Sequence, residues 1–290
     1  MAIKMDGKAL AEKMRGEIRE ETARLSRRPT LAVILVGEDP ASQVYVRNKE
    51  KDCVECGILS QGYRLPEETS EEQLLELIGV LNDNDLVDGI LVQLPLPKHI
   101  SEQKIIHAIR PDKDVDAFHP FNVGKIVTGE AGFLPCTPAG IMELLKEYQI
   151  EIAGKECVVV GRSNIVGKPM ALLLLREHGT VTICHSRTAR LAEQTRRADI
   201  LVSAVGKVGT ITGEMVKDGA VVIDVAMNRN AEGKLCGDCL YDEVAAKASY
   251  ITPVPGGVGP MTRLILMKNT LTAAQAHLDK EKKPQERFAP

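Results

Sequence analysis

The chain has 290 residues, of which 44% are hydrophobic and 27% are charged. That length favours about two domains, each able to bury a core, and the composition excludes disordered and fibrous proteins. The 37 basic and 40 acidic residues leave a net charge of −3, and Trp is absent. Neither a basic surface nor aromatic stacking platforms are therefore available, so no nucleic-acid partner is expected.

The sequence also lacks membrane and secretion signals. No stretch approaches the run of about 18 apolar residues that a membrane span needs, and the N-terminal segment has no apolar signal core. The seven cysteines are an odd number, which is typical of free thiols in a reducing compartment. We therefore expect a cytoplasmic protein with no membrane partner.

Helical and strand patterns alternate through the first half of the chain. Apolar residues from Leu10 to Leu25 recur with helical spacing. The apolar run over 30–39 favours a strand buried on both faces, and Ser42 is a candidate cap for the helix that follows. The next predicted elements are a weak strand over 62–68, a helix over 71–82 and a strand over 87–97.

The second half repeats this alternation. Its predicted helices cover 141–148, 169–177, 191–199 and 261–277. Its predicted strands cover 155–161, 180–186, 200–206, 219–226 and 250–257. Such alternation indicates parallel α/β sheets. We predict two α/β domains joined near residue 137, with a last helix that can pack on either domain and a charged tail from residue 281.

A candidate phosphate-binding turn, GRSNIVGKP, connects the strand over 155–161 to the next helix. Gly161 and Gly167 allow close backbone approach to a pyrophosphate, and a helix N-terminus adds N–H donors. The spacing is not the G-x-G-x-x-G of the common dinucleotide fingerprint, so an ordinary tight turn is the alternative.

The residues after the next strand bear on cofactor choice. An NAD site uses a carboxylate on the ribose, but no acidic residue follows the strand over 180–186 until Glu193. Arg162 and Ser186 are donors suited to a 2′-phosphate. These residues favour NADP over NAD, while Arg187 is interpreted as a surface charge.

Eight segments together resemble one family, the bifunctional methylenetetrahydrofolate dehydrogenase/methenyltetrahydrofolate cyclohydrolases. They are SQVYVRNKEKDC, GILVQLPLP, PDKDVDAFHP, PCTPAG, GRSNIVGKP, CHSRT, VIDVAMN and TPVPGGVGPMT. They occur in the family's order and approximate spacing, so the resemblance runs from about residue 30 to residue 270. The resemblance implies NADP-dependent oxidation of 5,10-methylenetetrahydrofolate, hydrolysis of the methenyl product to 10-formyltetrahydrofolate, and a homodimer.

The resemblance also implies an architecture. A folate-binding catalytic domain would cover 1–137 and be joined by the C-terminal helix over 265–290. A Rossmann-like NADP-binding domain would cover 138–264, with a cleft between the two domains.

The resemblance implies catalytic roles for Tyr45, Lys49, Gln93 and Asp116, which would also bind the folate. Tyr45 and Lys49 lie four residues apart, so a helix presents both on one face. A lysine beside a cationic substrate suits proton transfer. Gln93 follows an apolar strand, where α/β sheets place ligand groups. An exposed helix lysine and a turn glutamine are the alternative interpretations.

The remaining candidates lie in the second domain or in loops. The glycine-rich run over 253–260 allows close approach to a ligand, with Pro255, Gly256 and Gly257 as candidate substrate-binding residues. The candidate cofactor-binding residues are Gly161, Arg162, Ser163, Val166, Gly167, Ser186 and Ile211. Asp112 and Asp114 are interpreted as solvated loop charges.

Two positions depart from the family pattern, and a pair of C-x-x-C motifs raises the question of a metal site. Ala117 and Ala226 stand where the family commonly has glycine, and a positive φ at either would strain alanine. The two C-x-x-C pairs are too far apart for a zinc ribbon, so we expect packed thiols and no metal.

Three other functions stay open at this stage. They are a dehydrogenase without the hydrolase, a non-catalytic nucleotide-binding regulator, and a shikimate-type NADP dehydrogenase.

Overall fold

The computed structural model describes residues 2–130 and 132–282, so most of the predicted charged tail lies outside the described residues. The helices are α1 (Gly7–Ala23), α2 (Pro40–Glu55), α3 (Glu71–Asp83), α4 (Glu102–Ala108), α5 (Pro120–Thr128), α6 (Cys136–Glu147), α7 (Gly167–Arg176), α8 (Leu191–Thr195), α9 (Tyr241–Lys247) and α10 (Val258–Lys282). The strands are β1 (Ile3–Lys4), β2 (Thr30–Val36), β3 (Leu59–Leu65), β4 (Gly89–Val92), β5 (Glu156–Val160), β6 (Thr180–Cys184), β7 (Ile200–Ser203), β8 (Val221–Asp224), β9 (Asn228–Arg229), β10 (Leu235–Cys236) and β11 (Tyr250–Ile251).

The chain forms two compact units. The three-stranded unit comprises Arg15–Phe121 and the residues from Leu266 onward. The six-stranded unit comprises the residues up to Met14 and Asn122–Ile265. Residues 122–137 thus belong to the same unit as β5 to β8, whereas the sequence placed a domain boundary at residue 137.

In the three-stranded unit, the parallel sheet has the order β3-β2-β4. Every residue of β2 is buried, which confirms the strand expected from the apolar run over 30–39. A central strand covered on both faces needs apolar residues in succession, and TLAVILV supplies them. One face packs on α3 through Leu74, Ile78 and Leu81.

In the six-stranded unit, all strand pairs are parallel and the order is β1-β11-β8-β7-β5-β6. Consecutive strands β5 and β6 lie on one side, and the chain then crosses back to place β7 on the other side of β5. This reversal is the topological switch point, where open α/β sheets bind ligands at the carboxyl ends of their strands. The predicted α/β class and the Rossmann-like second sheet are confirmed.

Several local expectations need correction. The cap of α2 is Asp39, whose carboxylate accepts the Ser42 N–H at 2.7 Å, so Ser42 is inside the helix and is not its cap. Pro40 is tolerated at the first turn because its missing N–H would have had no helical partner. The short elements β1, α4 and α5 had no counterpart among the predicted elements.

The cysteines are free thiols, and six of the seven are buried, including Cys53 and Cys56. Burial raises the pKa of Cys53 to about 12, so its thiol stays protonated at neutral pH. Within the described ranges, no group of three or more His, Cys, Asp and Glu side chains is arranged to hold a metal ion. None of the helices described by the structure is long and apolar enough to cross a membrane.

Candidate active site

The side chains of Lys49 and Gln93 meet in the three-stranded unit. Lys49 Nζ donates a hydrogen bond to Gln93 Oε1 at 3.1 Å. Both side chains are half-buried, and Tyr45 lies one helical turn before Lys49 with part of its ring exposed. Burial raises the pKa of Tyr45, so its phenol stays protonated as a donor at neutral pH.

The position of Gln93 follows from the sheet. Its backbone N–H extends the ladder beyond β4 by donating to Ile34 O at 2.9 Å. Its side-chain Nε2 donates to Leu94 O at 2.6 Å, and the Leu94–Pro95 peptide is cis. With the nitrogen engaged by a carbonyl, the amide presents its oxygen to the Lys49 ammonium. An uncharged acceptor therefore holds this lysine at the carboxyl end of the sheet.

Asp116 lies half-buried in a loop that is tied to the same strand. The loop pairs with β4 where Ile90 N donates to Lys113 O at 2.8 Å. Within it, Asp114 is buried and accepts the N–H groups of Phe118 and His119 at 3.2 and 2.8 Å. The expectation that Asp114 is a solvated charge is therefore wrong, because its carboxylate folds the loop that carries Asp116.

Ala117, the residue after Asp116, has φ of 58° and is fully buried. The left-handed region costs alanine roughly 1–2 kcal/mol, so this departure from glycine carries strain. Ala226 is not among the described residues with positive φ, so the same concern does not apply there.

A buried ion pair supports this unit. Asp88 has no exposed surface and accepts both Arg27 guanidinium nitrogens at 2.7 and 2.8 Å. His277 on α10 also contacts Asp88, with Nδ1 at 3.0 Å from Oδ1. Burial acts to raise the pKa of Asp88, but these hydrogen bonds outweigh it and hold the pKa below its usual value.

In the six-stranded unit, we call residues 161–167 the nucleotide turn. Gly161 has φ of 134°, and a Cβ there would lie 2.4 Å from Ala204 O. A Cβ on Gly167 would lie 2.3 Å from Gly161 O. Both glycines are thus needed for the turn to fold back on itself at the switch point.

The first turn of α7 is partly satisfied from within the nucleotide turn. Ser163 Oγ accepts the N–H groups of Val166 and Gly167, each at 3.2 Å, and Ser163 O accepts that of Lys168. The expected free donors of this helix N-terminus are therefore fewer than the sequence predicted. The Arg162 and Ser186 side chains are exposed, so both can reach a ligand from solvent.

The remaining candidate residues are Ile211 and the loop over 255–257. Ile211 is fully buried in the core, and its carbonyl accepts Leu240 N at 2.9 Å, so its side chain is not presented to solvent. Pro255 is exposed and follows a cis peptide, while Gly256 has φ of 106°. Gly257 is packed so closely on Pro253 O that a Cβ would lie 2.7 Å away.

The sequence reasoning gave no role to two buried acids near the nucleotide turn, Asp224 and Asp238. Burial raises the pKa of Asp224, and this effect outweighs the N–H donors of Cys239 and Asp238. The only sign of these acids in the neighbouring sequence is Gly237, because a Cβ there would lie 1.9 Å from the Asp224 carboxylate.

The fold and these sites define a two-unit α/β protein with a dinucleotide-binding sheet. The family model for the catalytic domain of tetrahydrofolate dehydrogenase/cyclohydrolase matches residues 5–116. The model for the NAD(P)-binding domain of the same family matches residues 135–278.

Individual proteins agree with these matches. The bifunctional protein FolD of Lachnoclostridium phytofermentans is 62% identical, over 95% of this chain and 99% of its own. The crystal structure of the bifunctional FolD enzyme from Campylobacter jejuni has a TM-score of 0.93 at 50% identity, covering 95% of this chain and 99% of that one. The Trypanosoma brucei enzyme, complexed with NADP cofactor and inhibitor, has a TM-score of 0.92 at 41% identity, covering 96% and 98%. This chain belongs to the tetrahydrofolate dehydrogenase/cyclohydrolase family.

Proposed function

We propose that the Lys49–Gln93 pair carries out the hydrolytic half of a two-step folate reaction. The protein is a bifunctional enzyme that oxidises 5,10-methylenetetrahydrofolate with NADP⁺ and then hydrolyses the methenyl product to 10-formyltetrahydrofolate. The observation that carries the residue assignment is the 3.1 Å contact between Lys49 Nζ and Gln93 Oε1 at the carboxyl end of β4.

The hydrolysis sets clear demands on this pair. Water adds to the methenyl carbon and the bond from that carbon to N5 breaks. The added oxygen loses both of its protons as it becomes the formyl oxygen, so that one proton ends on N5 and the other is released to solvent. A neutral amine at Lys49 Nζ can accept the proton from water and then return one to the departing nitrogen. Gln93 Oε1 is an uncharged acceptor, so it can orient Lys49 Nζ both before and after the nitrogen takes up a proton.

Tyr45 and Asp116 complete the proposed folate site. Tyr45 shares a helix face with Lys49 and offers an aromatic face for a pterin ring together with a phenol donor. A carboxylate at Asp116 can accept paired hydrogen bonds from an aminopyrimidine edge. The donors that Asp114 accepts hold the loop bearing Asp116 in one conformation. We also assign Pro255, Gly256 and Gly257 to substrate binding, since their loop has little side-chain bulk.

The cofactor is NADP, and the nucleotide turn fits it. The turn lies at the switch point of a parallel sheet, and its two glycines permit the tight fold-back that a pyrophosphate site uses. We assign the pyrophosphate to the turn, with Ser163 and Val166 shaping its backbone. Arg162 and Ser186 would hold the 2′-phosphate through charge-assisted hydrogen bonds. NADP⁺, when bound, supplies the hydride acceptor for the oxidation step.

Ile211 enters the proposed cofactor site indirectly. Its buried side chain belongs to the same hydrophobic cluster as Val158 and Val160 of β5. Its backbone carbonyl pairs with the residue that opens α9. We therefore assign Ile211 to supporting the cofactor site through its position in the core.

We assign hydrolysis to the three-stranded unit and NADP binding to the six-stranded unit. The motif content supports this division, since the candidate proton-transfer residues lie in the first and the nucleotide turn lies in the second. Because the hydrolysis consumes no nucleotide, variants of the two units should separate the two activities.

We also infer a cytoplasmic homodimer. In the three-stranded unit, β3 pairs only with β2 among the described strands, so one of its edges can accept a strand from a second copy. Apolar side chains beside it support this, since Val54 is 75% and Leu59 is 46% exposed. Light scattering on the purified chain should give twice its 31.6 kDa mass, and Val54→Glu should shift it toward one copy.

The residue assignment is tested by replacing Lys49 with glutamine. Hydrolysis of methenyltetrahydrofolate, followed by its absorbance, should fall strongly while NADP⁺ affinity stays at the wild-type value. Lys51→Gln is the matched control, because Lys51 is on the same helix but exposed. Unchanged hydrolysis in Lys49→Gln would remove Lys49 from the mechanism.

A further inference from the structure

The carboxylate of Asp238 is completely buried and gathers four hydrogen-bond donors. Oδ2 accepts Ser203 Oγ at 3.0 Å and the backbone N–H of Val205 at 2.8 Å. Oδ1 accepts the backbone N–H of Lys207 at 2.8 Å and Asn228 Nδ2 at 3.0 Å. Each oxygen has two donors, so the carboxylate is fully engaged by the protein itself.

Two of these donors belong to the loop that follows β7. Val205 and Lys207 alternate along it, and binding both N–H groups to one carboxylate fixes the path of residues 204–207. The loop starts at Ala204, whose N–H continues the sheet by donating to Val160 O at 2.8 Å. Asp238 therefore determines how the chain leaves β7.

The nucleotide turn packs directly against the same loop. A Cβ on Gly161 would lie 2.4 Å from Ala204 O, so the two backbones are in close contact. The loops after β5 and β7 also flank the topological switch point. A displacement of residues 204–207 is therefore transmitted to the turn at the point where a dinucleotide binds.

A second buried acid holds Asp238 in place. Asp224 accepts the backbone N–H groups of Asp238 and Cys239, each at 2.9 Å. Gly237 is required at this position because a Cβ would overlap the Asp224 carboxylate. The Asp224 N–H in turn donates to Thr252 Oγ1 at 2.7 Å. The ends of β7 and β8 are thus joined through two carboxylates, and the backbone N–H of Asp224 joins β8 to the residue after β11.

We propose that Asp238 is a positioning residue for NADP, acting through the 204–207 loop and not by direct contact. All four of its partners are donors, so an amide at this position would place an NH₂ group among donors and displace the loop. This inference rests on the proposed placement of NADP at the nucleotide turn.

The test is Asp238→Asn, which keeps the shape of the side chain and replaces one acceptor oxygen by an NH₂ group. Titration calorimetry with NADP⁺ should show the dissociation constant raised about tenfold or more, in line with losing a hydrogen bond to a charged group. Hydrolysis of methenyltetrahydrofolate without nucleotide should stay within about twofold of wild type. Asp242→Asn, an exposed acid four residues on, should change neither.

Three outcomes separate the inference from its alternatives. An unchanged NADP⁺ dissociation constant in Asp238→Asn overturns it, provided that Gly167→Ala abolishes binding. If Gly167→Ala also binds normally, the proposed cofactor site itself is wrong. If hydrolysis and NADP⁺ affinity fall together with the melting temperature, Asp238 is merely structural and the inference fails.

A milder variant covers the case in which Asp238→Asn does not fold. Ser203→Ala removes one donor to Oδ2 and leaves the other three bonds in place. The NADP⁺ dissociation constant should rise about threefold, the smaller effect of losing one hydrogen bond. If it is unchanged, the network does not position the cofactor and the inference is overturned.

Discussion

The two units share an α/β alternation but build their sites in different ways. In the three-stranded unit, the proposed chemistry depends on side chains projected from α2 and from the end of β4, above all Lys49 and Gln93. In the six-stranded unit, the proposed site is a backbone feature in which Gly161 and Gly167 contribute by lacking side chains. Proton transfer needs a particular functional group, whereas holding a pyrophosphate needs a particular backbone path. Substitutions should therefore damage the two sites in different ways.

The largest expected effect is in the side-chain site. Lys49→Gln should lower the rate of hydrolysis by about 10²–10⁴-fold, the range for loss of a general acid–base group. NADP⁺ binding, measured by calorimetry, should not change. A rate loss matched by weaker NADP⁺ binding would break the proposed separation of the units.

The backbone site should respond most to an added methyl group. Gly167→Ala places a Cβ 2.3 Å from Gly161 O, which the turn cannot accommodate without moving. NADP⁺ binding should be lost in calorimetry while hydrolysis continues. Gly124→Ala in the same unit is the control, because nothing lies within 4 Å of a Cβ there.

In the three-stranded unit, the buried carboxylate of Asp88 should make the free energy of unfolding depend on pH. Asp88 is paired with an arginine, and Asp88→Asn should lower the free energy of unfolding by about 3–5 kcal/mol at neutral pH. Since the folded pKa of Asp88 lies below its usual 3.8, its contribution is present above that value and is lost as pH falls through the folded pKa. Urea unfolding of both proteins should show the difference shrinking below about pH 4. A difference that is constant with pH would contradict this account.

Cofactor choice should depend on side chains even within the backbone site. Arg162→Gln should lower the ratio of kcat/KM for NADP⁺ over NAD⁺ by about tenfold, as expected for one charge-assisted hydrogen bond. Steady-state assays with both nucleotides measure this ratio. Arg187→Gln, an exposed neighbour of Ser186, should leave it unchanged. An unaltered ratio in Arg162→Gln would remove this residue from 2′-phosphate binding.

The smallest effect is expected at Ala117. Ala117→Gly relieves the backbone strain of a positive φ. It also removes a buried methyl group and raises the conformational entropy of the unfolded chain, and both changes oppose folding. These opposing terms should leave the free energy of unfolding within about 1 kcal/mol of wild type. Ala117→Val should be clearly destabilising in the same urea titrations, because a branched side chain fits this conformation poorly.

The fold could be predicted from the sequence wherever a single stretch of apolar residues was enough to identify a strand. Strands β2, β5, β7 and β8 were predictable because buried parallel strands are apolar on both faces. The two-residue strands β1, β9 and β10 are too short to carry such a pattern. The cap at Asp39 was missed because Ser42 is also a good capping residue.

The candidate sites could be predicted only in part, for a related reason. Lys49 and Gln93 were identified through the family resemblance of their segments, with which the helical spacing of Lys49 and the strand-end position of Gln93 agree. Asp238 was not, since its donors come from other segments of the chain. Asp114 was misinterpreted because its donors are backbone N–H groups, which the residue types of the loop do not reveal. The partners of Asp238 lie 10 to 35 residues away along the chain. Burial of a charge becomes visible only once the fold has brought those donors together.

The most direct test measures both functions in Lys49→Gln and Gly167→Ala side by side. Hydrolysis of methenyltetrahydrofolate without nucleotide and calorimetric binding of NADP⁺ are compared with wild type. We expect a crossed result, in which Lys49→Gln loses hydrolysis and keeps NADP⁺ binding while Gly167→Ala keeps hydrolysis and loses NADP⁺ binding. Loss of both functions in both variants would contradict the assignment of one function to each unit.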